Sequence, residues 1–167
     1  MARYDERPTV FHRLTSLTII FATITGAVLA DCDWPDEKDP VKITLAIVLA
    51  SEKGDKVDKN LKLLAAEIQK THPHLKSFIL KTQEMRSIKP NEKTSMLCVD
   101  DQMVEMIVKH GADKDNRVSL SIKPPTMSTF EYQSVCGKFL PIVTNYKTKK
   151  KGDTLILAIM LEPCQGK

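Results

Sequence analysis

Arginine is nearly missing from most of this 167-residue chain: beyond residue 13 only Arg86 and Arg117 occur, against 20 lysines. Bidentate recognition of phosphate or guanine favours the guanidinium fork. A dispersed lysine surface with near-balanced charge therefore has no dedicated nucleic-acid footprint. Glycine is also sparse, six in all, and none forms a glycine-rich phosphate cradle. There is no C-x-x-C, so neither a thiol oxidoreductase nor a zinc knuckle is indicated. No G-x-S-x-G elbow and no serine three residues before a lysine is present.

Weaker hints of chemistry do not build a site. Asp113-Lys114-Asp115-Asn116 lacks the sixth-position glycine and distal glutamate of an EF-hand loop. His72 and His74 flank Pro73, an awkward geometry for two metal ligands on one element, and His110 falls in a predicted loop far along the chain. Cys136 has no histidine placed by sequence to activate it. No catalytic, cofactor-binding or metal-binding residue is assigned, and no cofactor is implied.

What is present begins with the amino-terminal 30 residues. Arg3, Arg7 and Arg13 outweigh Asp5 and Glu6, and no charge appears from Leu14 to Ala30. A cluster of acids then begins at Asp31 and Asp33. A basic lead, an uncharged middle and small residues before a polar switch describe a secretory signal peptide, with cleavage expected after Ala30. The run is shorter than the roughly 20 residues needed to span a bilayer, so an uncleaved membrane anchor is the alternative. Asp31, standing just before Cys32, spoils a lipid-attachment motif. The expected location is periplasmic or secreted, with membrane contact only through the leader.

Export leaves 137 residues with a net charge of +3, enough for one domain with a single core. All four cysteines (Cys32, Cys98, Cys136, Cys164) lie in that part. In an oxidising compartment Cys32 and Cys164, at its two ends, are the disulfide candidates. Cys98 and Cys136 fall within apolar strand patterns and read as buried small hydrophobes.

Residues 31–40 are acidic and proline-punctuated, an extended lead-in to a β-rich domain over 41–167. Val41 to Ala50 is apolar at nearly every position from Ile43, which fits a strand buried on both faces. Leu61, Leu64, Ala65 and Ile68 follow helical spacing, with Asp58 as the amino-terminal cap and Pro73 as the stop. This apolar stripe reads as core, not as a partner-binding face. Seven strand patterns follow, over 75–88, 93–99, 103–109, 117–123, 129–136, 138–147 and 154–162. Val118, Leu120 and Ile122 alternate with Ser119, Ser121 and Lys123, the mark of a sheet with one wet face. Leu155 to Leu161 is continuously apolar and reads as a central strand. The fold class is α+β and β-rich: one helix after the first strand, then about seven mostly antiparallel strands in meander-like succession, forming a sandwich or partial barrel.

Two segments invite function. Lys147, Lys149, Lys150 and Lys151 form the densest charge cluster, a possible contact for anionic lipid or an acidic envelope polymer, and equally a soluble hairpin tip that deters edge pairing. Gln133-Ser134-Val135-Cys136-Gly137 is similar to the Q-x-V-x-G hairpin of cystatin protease inhibitors. The resemblance covers five residues and implies, at most, protease inhibition through this turn; the second, Pro-Trp hairpin of that family has no counterpart. The expected function is an exported, non-catalytic module that binds or supports another protein in the envelope or outside the cell. The alternative is a hydrolase whose site gathers His74, His110, Asp101 or Asp113 from separate strands.

Overall fold

A computed structural model of the chain describes residues 38–163. Among these residues eight strands and one helix follow in the order β1 (Val41–Ser51), a short 3-10 turn (Lys59–Leu61), α1 (Lys62–Thr71), β2 (Ser77–Ile88), β3 (Lys93–Leu97), β4 (Met103–His110), β5 (Arg117–Lys123), β6 (Phe130–Val135), β7 (Phe139–Lys147) and β8 (Thr154–Pro163). They form two antiparallel four-stranded sheets, ordered β2-β1-β8-β7 and β3-β4-β5-β6. The β-rich α+β class is therefore met, as a sandwich. The second sheet is a simple meander. The first is not: the last described strand, β8, returns between β1 and β7, so the strand read as central does lie inside its sheet.

Burial explains the two kinds of strand pattern. Ile43, Leu45 and Ile47 of β1 and Leu155, Leu157, Ile159 and Leu161 of β8 point between the sheets, where they meet Met96, Val104, Met106, Val108, Val118, Leu120 and Ile122. On the opposite face, Val48, Ala50, Phe78 and Ile156 pack under Leu61, Ala65 and Ile68 of the helical segment. Both faces of β1 and β8 are thus covered, and neither alternates. The helix has only ten residues, too few for an isolated helix to persist in water, so its apolar stripe must hold it on the sheet.

A bulge fits β2 to both layers. The β1–β2 register passes from Ile47↔Thr82 to Val48↔Leu80, leaving Lys81 unmatched. An unshifted ladder would set Lys81 opposite Val48 and turn Phe78 and Leu80 away from α1; the extra residue reverses this. Asp58 differs from its expected role. Its side chain makes no cap hydrogen bond. Instead its Oδ2 accepts the Leu80 N–H at 2.9 Å, while its backbone carbonyl accepts the Leu61 N–H at 2.8 Å. With Phe78 N–H donating to the Lys56 carbonyl and Asp58 N–H to the Phe78 carbonyl, the segment 56–58 covers the first residues of an edge strand that would otherwise expose unpaired backbone groups there.

Candidate functional site

The lysine cluster forms an anchored loop. Gly152 N–H donates to the Thr148 carbonyl, Thr148 N–H to the Asp153 carbonyl, and Asp153 N–H to Thr148 Oγ1. Lys147 Nζ turns back onto Thr154 Oγ1 at 2.7 Å. Asp100, from the turn between β3 and β4, accepts the Lys149 N–H and the Tyr146 hydroxyl through one oxygen, at 2.9 and 3.0 Å. The Lys149 amide, followed by Tyr146, lowers the Asp100 carboxyl below its usual range. Partial burial, and then the same carboxylate, raise the Tyr146 phenol. Lys149, Lys150 and Lys151 remain exposed at the tip, with acidic groups at their base.

Of the disulfide candidates, Cys32 and Cys164 lie outside the described residues. Cys98 and Cys136 are free thiols, and neither is within a strand: one follows β3, the other sits in the turn after β6. Burial pushes the Cys98 thiol up to about 11, and burial followed by the Asp113 charge raises Cys136. His72 and His74 stand with ring centres 5.9 Å apart. Among the described residues no three His, Cys, Asp or Glu side chains are grouped to hold a metal.

The Gln133–Gly137 stretch is not a hairpin of paired strands. It carries the chain from β6 in one sheet to β7 in the other. Gly137 turns there with φ +77°, a conformation that favours glycine, and its N–H donates to the Leu161 carbonyl at 2.8 Å.

Two surfaces that the sequence did not assign emerge. The first is a groove of about 740 Å³ between α1 and the β6–β7 crossover, lined by Leu63, Leu64, Tyr132, Val135, Phe139 and Pro141 among others. Leu63 is 89% exposed, and Tyr132, Val135 and Phe139 are each more than 40% exposed. The stripe Leu61, Ala65 and Ile68 is buried as expected, and Leu63 lies off it on the exposed side of the helix. Glu67 and Lys138 also line the groove, and Glu67 is already paired with Lys70 at 2.6 Å, so the unspent charge is positive. β6 is the outer strand of its sheet. β7 is also an edge strand, but Pro141 removes one of its donors.

The second is a shallow pocket of about 300 Å³ on the wet face of the second sheet, lined by His110, Asp113, Arg117, Ser119 and Gln133. It brings together two of the four residues proposed for a scattered hydrolytic site, His110 and Asp113; His74 and Asp101 do not line it. His110 ends β4 instead of lying in a loop. No hydrogen bond joins His110 to Ser119 or Asp113. Asp113 Oδ1 instead accepts the Asp115 and Arg117 N–H groups at 2.9 and 2.8 Å.

No protein-family model, no curated protein and no solved structure matches this chain.

Proposed function

We propose that the chain is an exported, non-catalytic binding module that holds an extended, apolar and acidic segment of a partner protein in the groove between α1 and β6. The observation that carries this reading is the gathering of four large exposed apolar side chains, Leu63, Tyr132, Val135 and Phe139, around one groove. Contiguous exposed apolar surface of this kind marks interaction sites. The open edge of β6 supplies the main-chain donors and acceptors that strand addition uses, while alternate side chains of the added segment reach the groove. Lys138, which also lines the groove, supplies a cation that favours acidic flanks.

Export rests on the leader, residues 1–30, with cleavage after Ala30. A Cys32–Cys164 bridge is part of the same reading.

Selection of a random peptide library on the immobilised protein tests the groove. Enriched peptides should alternate apolar and other residues and carry Asp or Glu, and they should no longer bind Leu63→Ser or Phe139→Ser protein. Enrichment that survives both substitutions, or no enrichment, defeats the reading.

A further inference from the structure

The pocket on the wet face is built by a second bulge. The β4–β5 register runs Val108↔Leu120 and then His110↔Ser119, leaving Lys109 unmatched. A regular ladder would have placed Lys109 opposite Ser119. The inserted residue exchanges that lysine for the imidazole of His110, and the Asn91 N–H secures the site by donating to the Val108 carbonyl at 2.6 Å. Ser119 in turn pairs with Gln133 of β6. His110, Ser119 and Gln133 therefore form one row across three strands, where directly opposed Cβ atoms lie roughly 4.5–5.5 Å apart.

Arg117 stands two residues from Ser119 on the same face. The β4–β5 loop fixes it in place: Asp113 N–H donates to the Arg117 carbonyl, Asn116 N–H to the Asp113 carbonyl, and Cys136 N–H to the Asn116 carbonyl, each at 2.9 Å. Asn116 takes the left-handed backbone (φ +60°) that closes the turn. The guanidinium forms no ion pair among the described residues, whose cation–carboxylate pairs lie elsewhere. Among the described residues the Ser119 hydroxyl, Gln133 amide and His110 ring make no hydrogen bond either. Asp113 is the pocket's acid, but one of its oxygens is committed to two backbone N–H groups. Glu131 is on the same face, opposite Ser121.

We infer that Arg117, Ser119, His110 and Gln133 form a binding site for a ligand bearing an oxyanion, a carboxylate or a phosphate. Four unspent donor groups converge on a fixed backbone, and the arginine offers the paired N–H geometry that both anions match. The site is separate from the groove, sharing only Gln133 as a lining residue.

The test is titration of the folded protein with inorganic phosphate and with acetate, followed by NMR at the Arg117 Nε–Hε and the Ser119 and His110 amides. These signals should move and saturate, while those of Lys149–Lys151 move less. Whichever anion saturates first assigns the class. Arg117→Gln should weaken binding by about tenfold or more, the scale of losing hydrogen bonds to a charged group. Ser119→Ala should weaken it by a few-fold, and Asp113→Asn, which retains the accepting oxygen, should strengthen it. Leu63→Ser should leave it unchanged, which separates this site from the peptide groove. Signals that stay still with both anions, or that move equally in the Arg117→Gln protein with its spectrum otherwise intact, overturn the assignment.

Discussion

The two sheets have four strands each and share one core, yet their second faces differ. The sheet β2-β1-β8-β7 carries α1 on its outer side, so Val48, Ala50, Phe78 and Ile156 are fully buried there. The sheet β3-β4-β5-β6 turns Ser95, Glu105, Ser119, Ser121 and Gln133 outward, and among the described residues no helix lies over them. Glu105 answers this exposure with Lys93 at 3.1 Å, and that lysine lowers its carboxyl below the usual range. One sheet is committed to stability on both faces. The other has a free face on which polar side chains can be placed for recognition, and both candidate surfaces adjoin its last strand, β6.

This contrast is broken most directly by truncating one buried side chain on each sheet's second face. Phe78→Ala removes the largest side chain between α1 and its sheet and should cost about 3–5 kcal/mol, measured by urea unfolding. Ser121→Ala, on the open face, should stay within about 0.5 kcal/mol. Comparable costs would mean that the open sheet's outer face is also packed. Asp58→Ala comes next. It frees the Leu80 N–H and uncovers the edge of β2, with an expected loss of about 1–2 kcal/mol. An Asp58→Asn protein, which keeps an accepting oxygen, should recover part of it; no recovery would mean the carboxylate acts through charge alone.

The two described thiols sharpen the comparison from the core side, since they follow the first and last strands of the open sheet. Cys98 is buried with its thiol raised to about 11, so at pH 8 it is almost wholly protonated. A thiolate-selective reagent should leave it unlabelled until the protein unfolds. Cys136, half-buried and raised by burial and then Asp113, should label in the native protein, more slowly than a free thiol. Labelling of Cys98 as fast as Cys136 would show that the β3 edge opens as readily as the β6 turn.

Much of this architecture was legible because burial writes itself into periodicity. Continuous apolar runs marked β1 and β8, and alternation at Val118, Leu120 and Ile122 marked a strand with one wet side. Pro73 ended the helix where expected: His72 leaves helical geometry and its N–H closes on the Ile68 carbonyl. Strand order was not legible, because pairing β8 with β1 depends on contacts across the whole chain. Nor was either candidate surface. Lys81 and Lys109 look like ordinary strand residues, and only the ladder shows that each is an unmatched insertion that reassigns its neighbours' faces. The one signal available for the groove was Leu63, a large apolar residue between the lysine positions of an otherwise polar helix face. Asp58 had the residue type and position of a cap, and a backbone N–H in β2 competed successfully for its carboxylate.

The smallest expected effect concerns the lysine loop. Asp100 has its carboxyl lowered in the folded protein, chiefly by the Lys149 N–H and also by the Tyr146 hydroxyl. A lowered folded value means that the unfolded chain takes up the proton first. The stabilisation from this contact is therefore fully present above the ordinary carboxylate range near pH 4 and is lost as pH falls through the folded value. The Lys149 amide signal should then titrate below that range, and Tyr146 should shift with it. In the Asp100→Asn protein the same amide should show no such transition, and the exposed lysines should become more mobile on the nanosecond scale. A Lys149 amide that titrates at the ordinary value, or not at all, would detach the loop from Asp100. The lysine tip would then be held only by its own Thr148–Asp153 hydrogen bonds, and the open sheet's first hairpin would have no part in presenting it.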